Sequence, residues 1–221
     1  MDSIRAVIFD MDGLLIDSER PGRTAWQKAV VEWGYEMSDA TYSLVSGRTV
    51  PDAERIFAEV YGTDFPFYAI RKRRVEIAQE HFAKHGVQVM EGAEELLDLI
   101  ISHDFPRAVA TSTAHKAAYE KLEKTGLKSY FPTIVTGDEV EKGKPAPDIF
   151  LLAAKRINAN TAECVVLEDS EAGIRAASKA GMTPIMVPDL ITPSKEIKNI
   201  AAHIMPSLHA VRGLFEKTFL R

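Results

Sequence analysis

The chain has 221 residues, of which 46% are hydrophobic and 27% charged, and its formal net charge is −5 at pH 7. This composition is ordinary for a folded protein of one or two domains, and the mild acidity argues against nucleic acid as the main partner. No apolar run is long enough to span a bilayer, and aspartates interrupt the N-terminal apolar stretch where a secretory signal would lie. A cytoplasmic protein without a membrane partner is therefore expected, and the single cysteine, Cys164, is expected in the core.

The first predicted strand, residues 4–9, is a continuous apolar run that ends in Asp10-Met11-Asp12-Gly13. Such runs are typical of parallel strands that are buried on both faces, and ligands bind beyond the carboxyl ends of these strands. Asp10 is therefore a candidate nucleophile or metal ligand, and Asp12 is a candidate general acid or base. Gly13 allows the chain to turn sharply after them.

Residues 16–87 show apolar residues at helical spacing, divided by turn signals at Gly34, Ser46-Gly47, Pro51 and residues 62–66. This pattern predicts several short helices. Because the block follows the strand that carries Asp10, we interpret it as an inserted cap that closes over a site. A packed helical appendage is the alternative. The basic run at residues 71–74 indicates a solvated helix face.

From residue 88 onward, short apolar runs alternate with helical segments, which is typical of βαβ units and a parallel sheet. Strands are predicted at residues 108–110, 133–135, 165–167, 184–187 and 203–205, and helices at 93–101, 115–125, 147–156 and 172–180. The predicted fold class is α/β. Residues 1–15 and 88–221 form a doubly wound, Rossmann-like core, and residues 16–87 form an all-helical cap domain.

Polar residues follow three further predicted strands. Thr111, Ser112 and Thr113 offer hydroxyls and backbone N–H groups at a helix start, where anions bind readily, although in isolation such hydroxyl residues are usually simple N-caps. Lys144, in a loop held by prolines, can neutralise a phosphate and a nucleophilic carboxylate at once. Lys142 lies in the same loop, and we prefer Lys144 for its place in the Lys-Pro-x-Pro-Asp run.

The pair Glu168-Asp169 ends the apolar run at residues 165–167. Two adjacent acids at the end of a buried strand are costly without a compensating cation, so a hard divalent metal, most plausibly Mg²⁺, is expected. Helix capping by Asp169 or Ser170 is the alternative interpretation.

Four motifs follow one another along the chain, each at a strand end: Asp-x-Asp-Gly, Thr/Ser, Lys-Pro and Glu-Asp. This order resembles the haloacid dehalogenase superfamily, specifically its phosphotransferases with a helical cap after the first motif. The resemblance covers essentially the whole chain. It implies that Asp10 takes the phosphoryl group as an aspartyl-phosphate, that Asp12 protonates the leaving oxygen and later deprotonates water, and that Thr111 and Lys144 hold the phosphoryl oxygens. Ser112 and Thr113 are further candidate substrate-binding residues.

The same resemblance implies a Mg²⁺ site. The side chains of Asp10 and Asp169 and the main-chain carbonyl of Asp12 would bind the ion, with Glu168 as a further ligand or as an acceptor for metal-bound water. A carboxylate at Asp12 together with Glu168-Asp169 favours phosphorus over carbon as the electrophile. Phosphonate cleavage, in which a cap lysine forms a Schiff base, is a further alternative, although no cap segment singles out a lysine for that role.

The predicted function is a Mg²⁺-dependent phosphatase of small phosphomonoesters, a sugar phosphate or a similar metabolite. The main alternative is a β-phosphoglucomutase, but the position that matches its gating histidine is Gly22 here, so water is the expected acceptor. An inactive binding protein of the same fold is a minor alternative. Arg48, in a cap turn, is a candidate for binding the substrate's phosphate, or a solvated turn residue.

Overall fold

The computed structural model describes residues 4–219 and contains a six-stranded parallel sheet and a helical block that follows its first strand. The strands are β1 (Ala6–Phe9), β2 (Ile16–Asp17), β3 (Gln88–Val89), β4 (Arg107–Ala110), β5 (Thr133–Val135), β6 (Cys164–Glu168), β7 (Thr183–Met186) and β8 (His203–Ile204). The α-helices are α1 (Glu19–Val31), α2 (Asp39–Val45), α3 (Val50–Tyr61), α4 (Phe67–His85), α5 (Ala93–Ser102), α6 (His115–Lys124), α7 (Asp148–Arg156), α8 (Glu171–Lys179), α9 (Lys195–Ile200) and α10 (Leu208–Thr218).

The large sheet has the strand order β5-β4-β1-β6-β7-β8, and all its pairings are parallel. The chain therefore winds to one side of β1 and then to the other, which confirms the predicted doubly wound α/β core. Phe9 is in register with Val109 of β4 and with Leu167 of β6. The residues that follow these strands consequently meet at one edge of the sheet, beside the switch in winding direction.

Both faces of the sheet are covered. Val7 and Phe9 pack into an apolar cluster with residues of α5, α6 and α10, whereas Ala6 and Ile8 pack on the opposite face with residues of α7 and α8. Successive side chains of a strand point to opposite faces, so a strand between two helix layers must be apolar throughout. This explains the continuous run before Asp10. Cys164 lies in the second cluster, in the core as predicted.

Helices α1 to α4 have an apolar cluster of their own, built around aromatic rings. Trp26 lies 4.7 Å from the Phe57 ring, and Phe57 stacks on Phe65 at 5.1 Å, centroid to centroid. At the base of the block, β2 pairs antiparallel with β3, where the chain leaves the core and returns to it. The helices fall within residues 16–87, the range predicted for the cap.

The sequence pattern does not predict β2, β3, α9 or α10. Two-residue strands carry no measurable period, and α9 is a helix of only 6 residues. Pro51 lies in the first turn of α3, so it marks a helix start within the block. Proline fits there because the first turn of a helix leaves its N–H groups unpaired. Among the described residues no helix is long and apolar enough to cross a membrane.

Candidate active site

A buried ion cluster lies at the carboxyl edge of the sheet, below the helical block. The ammonium of Lys144 donates to Asp10 Oδ1, to Glu168 Oε1 at 2.7 Å and to the Ala110 carbonyl at 3.0 Å. Its side chain is completely buried. Lys142, the other lysine of this loop, is exposed. The structure thus brings Asp10, Glu168 and Lys144 together from three distant segments.

The carboxylates at this edge outnumber the cation between them. Burial and the nearby charges of Glu168 and Asp12 raise the pKa of Asp10 to about 8, although Lys144 acts in the opposite direction. Burial, Glu168 and Asp10 likewise raise the pKa of Asp169 well above its usual value. Burial alone would lower the pKa of Lys144, but Asp10 and Glu168 raise it. The cluster therefore favours an additional positive charge.

Glu168 has a partner for each of its oxygens. Oε1 accepts from Lys144, while Oε2 accepts from the backbone N–H of Ser170 at 2.7 Å and from its hydroxyl at 2.8 Å. Ser170 also caps α8, since its hydroxyl oxygen accepts from the N–H of Gly173 at 3.1 Å. Of the two candidates, Ser170 and not Asp169 is therefore the N-cap of α8. Asp169 accepts no hydrogen bond from the described residues.

Gly173 of α8 is a site residue that the sequence pattern does not identify. A Cβ at this position would lie 1.7 Å from Glu168 Oε1. Glycine inside a helix costs about 1 kcal/mol relative to alanine, so its presence here reflects the close approach of the Glu168 carboxylate.

We therefore expect Gly173→Ala to lower both stability and activity, although alanine has a higher helix propensity than glycine. The methyl group must displace Glu168 and, through it, Lys144; overpacking of this kind costs about 1–3 kcal/mol. Denaturant midpoints and turnover are the measurements. The matched control is Gly213→Ala in α10, where an added Cβ meets nothing within 4 Å and a gain of about 1 kcal/mol is expected. Equal behaviour of the two variants would contradict this account of Gly173.

Asp12 is held in its ionised form by four side chains. It accepts from Ser18 Oγ and Lys121 Nζ at 2.5 Å each, from Thr113 Oγ1 at 2.6 Å and from Thr111 Oγ1 at 3.3 Å. Burial would raise its pKa, but Lys121 and the hydroxyl donors lower it to about 2. Asp12 is therefore ionised at neutral pH, which is the form of a carboxylate that can accept a proton. The sequence pattern does not identify Lys121, because nothing around a lysine within a helix indicates which residue its side chain contacts.

The hydroxyl residues after β4 do not cap α6. The N-cap of α6 is Ala114, and the N–H of His115 in the first turn donates to Asp138 Oδ1 at 3.0 Å. Thr111 and Thr113 face Asp12, and the Ser112 hydroxyl donates to the carbonyl of Gly47 in the helical block at 2.8 Å. Simple N-capping is therefore not their role.

The turn at residues 46–49 of the helical block lies directly on the strand ends. Arg48 Nη1 donates to the Lys144 carbonyl at 3.1 Å, and Arg48 is half-buried. A Cβ on Gly47 would lie 2.7 Å from Ser170 Oγ, and a Cβ on Gly143 would lie 2.2 Å from Thr49 Cγ2. Arg48 is thus at the interface between block and core, not in solvent. The block therefore contacts the core at the Lys144 carbonyl, at Ser112 and beside Ser170.

Comparisons with known proteins agree with this geometry. A sequence model described as haloacid dehalogenase-like hydrolase matches residues 7–187. A phosphorylated carbohydrates phosphatase of Thermotoga maritima is 34% identical over 184 residues, which cover 82% of this chain and 84% of the relative. A fructose-1-phosphate phosphatase of Escherichia coli is 30% identical over 185 residues, covering 82% and 95%. The crystal structure of a hydrolase from Pseudomonas syringae superposes with a TM-score of 0.85 at 25% identity, covering 97% of this chain and 99% of that one.

Proposed function

This chain belongs to the haloacid dehalogenase-like hydrolase family, and from that premise we propose that it is a Mg²⁺-dependent phosphatase of sugar phosphates or similar small metabolites. It is an enzyme, a phosphomonoester hydrolase. The observation that carries the proposal is the buried contact of Asp10 with Lys144, beside the unpaired carboxylate of Asp169. The Thermotoga maritima and Escherichia coli relatives are named as phosphatases of phosphorylated carbohydrates and of fructose 1-phosphate, which supports the substrate class.

In the proposed reaction Asp10 attacks the phosphorus. Lys144 holds Asp10 Oδ1, which leaves the other oxygen of the carboxylate for attack. The Asp10 oxygen forms a bond to phosphorus as the bond to the leaving oxygen breaks, giving an aspartyl-phosphate. Lys144 and Thr111 stabilise the phosphoryl oxygens, with Ser112 and Thr113 beside them. Because phosphoryl transfer passes through a loose transition state, positioning and positive charge supply most of the catalysis.

Asp12 transfers the protons. Protonated, it donates to the leaving oxygen; ionised, it deprotonates the water that cleaves the aspartyl-phosphate. The contacts of Lys121 and Ser18 with Asp12 Oδ1 favour the ionised form and so support its role in the second step. The first step requires Asp12 to acquire a proton, which the contact with Lys121 opposes because it lowers the pKa of Asp12.

The donor set fits Mg²⁺. Lys144 offers one positive charge against the three carboxylates of Asp10, Glu168 and Asp169. Between residues 4 and 219 no three His, Cys, Asp or Glu side chains form a ready-made metal cage. Mg²⁺ suits such a site because it keeps several waters and needs only one or two protein carboxylates.

We propose the side chains of Asp10 and Asp169 and the main-chain carbonyl of Asp12 as the Mg²⁺ ligands. Glu168 is assigned to Lys144 and Ser170, which already bind both its oxygens. When bound, the ion neutralises charge on the phosphoryl group. Residues 16–87 are proposed as the cap, and Arg48 as the residue that carries positive charge from the cap to the substrate's phosphate.

The test is an assay of free phosphate from a panel of phosphorylated hexoses and polyols. We expect release that requires Mg²⁺, disappears with a chelator and returns when Mg²⁺ is restored. The same samples are tested for conversion of β-glucose 1-phosphate to glucose 6-phosphate. Isomerisation with little phosphate release would replace the proposal with a mutase, and phosphate release unaffected by chelation would refute the metal.

A further inference from the structure

Arg74 in α4 points into the protein. Its guanidinium lies 5.9 Å from the centroid of the Trp26 ring, and its Nη2 is 2.8 Å from the place where a Cβ on Gly22 would be. The Nε of Arg74 is buried and makes no hydrogen bond within residues 4–219. The neighbouring Arg73, by contrast, pairs with the exposed Glu32. Arg74 therefore presents donors that the described chain leaves unused.

Glu19, at the start of α1, presents the complementary acceptor. Its Oε2 accepts from the Tyr42 hydroxyl at 2.5 Å and from Ser46 at 2.9 Å, whereas its Oε1 accepts from none of the described residues. The Glu19 side chain lies against the catalytic loop, since a Cβ on Gly13 would be 2.8 Å from its Cγ and 2.3 Å from Asp169 Oδ2. Glu19 thus borders the proposed metal site.

Tyr42 connects the two groups. Its hydroxyl bonds to Glu19 and lies 3.6 Å from the same point above Gly22 that Arg74 approaches. Arg74, Tyr42 and Glu19 therefore form a contiguous polar cluster that runs from the interior of the helical block to Asp169. None of these three side chains has a role in the phosphoryl transfer itself.

We propose that Arg74 and Glu19 bind hydroxyl groups of the leaving group, and that the enzyme selects phosphate esters of neutral polyols. The inference rests on the proposed phosphatase function and specifies its substrate. A hydroxyl both accepts and donates, so two neighbouring hydroxyls satisfy the free donors of Arg74 and the free Oε1 of Glu19. A second anionic group on the substrate would instead lie beside the carboxylate of Glu19, whose negative charge repels it.

Gly22 is the position that makes room for this arrangement. It lies in the first turns of α1, where alanine would favour the helix, yet any side chain there must displace the Arg74 guanidinium. Gly22→Ala thus separates folding from specificity: the variant should be at least as stable as the wild type and should still lose selectivity.

The experiment compares steady-state kinetics on glucitol 6-phosphate and on p-nitrophenyl phosphate, whose leaving group has no aliphatic hydroxyls. For Arg74→Gln and Gly22→Ala we expect kcat/KM on glucitol 6-phosphate to fall about 10- to 100-fold, mainly through KM, because a buried charge-assisted hydrogen bond is lost. On p-nitrophenyl phosphate both variants should stay within about twofold of the wild type. Arg73→Gln is the matched control and should leave both substrates unaffected.

Equal losses on the two substrates, or no loss on either, would overturn the assignment of Arg74. Faster hydrolysis of 3-phosphoglycerate than of glucitol 6-phosphate by the wild type would overturn the preference for a neutral leaving group. If the wild type hydrolyses none of the three esters in the presence of Mg²⁺, the proposed phosphatase function fails, and this inference fails with it.

Discussion

Asp10→Asn should abolish phosphate release, with a loss of at least about 10⁴-fold in kcat, because an amide cannot act as the nucleophile. The fold should remain intact. The amide oxygen can still accept from Lys144, and a buried carboxyl group whose pKa is raised to about 8 is replaced by a group that does not ionise. At neutral pH the folded, metal-free protein keeps a proton on Asp10 that the unfolded chain releases. The free energy of unfolding therefore falls as the pH rises toward 8.

The measurements are turnover with excess Mg²⁺ and the midpoint of denaturant unfolding without metal. We expect the Asn variant to unfold at the same or a higher denaturant concentration than the wild type. Mass spectrometry of acid-quenched reactions should detect a phosphoryl group on the wild-type peptide that carries Asp10. The control is Asp64→Asn in an exposed loop, which should change neither property. Undiminished turnover by Asp10→Asn would refute the role of nucleophile.

Lys144→Met should be the most destabilising of the single substitutions considered. It removes the cation that binds both Asp10 and Glu168 and leaves their carboxylates buried. Removing one partner of a buried ion pair costs about 3–5 kcal/mol, since the remaining charge is uncompensated. Activity should fall together with stability, because the phosphoryl group loses its proposed cationic partner.

A double substitution distinguishes this electrostatic account from a simple packing defect. If buried charge is the cause, Glu168→Gln added to Lys144→Met should restore part of the lost free energy of unfolding, and the two changes should be non-additive. A packing defect would give additive losses. Lys142→Met serves as the control, since that lysine is exposed, and should be within about 0.5 kcal/mol of the wild type. Wild-type stability in Lys144→Met would mean that the ion cluster does not stabilise the fold.

The basic run at residues 71–74 shows the limit of a composition argument. We predicted a solvated helix face, and Lys72 and Arg73 do lie at the surface, where Arg73 pairs with Glu32. Arg74 turns inward instead, over Trp26. Each residue of a helix is rotated by about 100° from the one before, so four consecutive residues surround the axis and cannot share one face. Which of them points inward depends on where α4 packs.

The amino-acid sequence alone determined the order of the six strands of the large sheet, the order of helices α5 to α8, and the residues at the strand ends. Continuous apolar runs identify buried parallel strands, and the carboxyl ends of such strands meet at one edge of the sheet, so Asp10, Thr111 and Glu168 were found from local pattern. Lys144 was chosen over Lys142 from the motif around it. These signals are local because strand period and turn chemistry depend on neighbouring residues.

Only the tertiary structure decided which side chains from distant segments touch one another. Lys121 binds Asp12 across 109 positions of sequence, Gly173 admits the Glu168 carboxylate, and Arg74 approaches Gly22. Such contacts depend on the rotation of each helix about its axis and on the position of the helical block relative to the sheet. Packing of the whole chain sets both, and no short stretch of sequence encodes them.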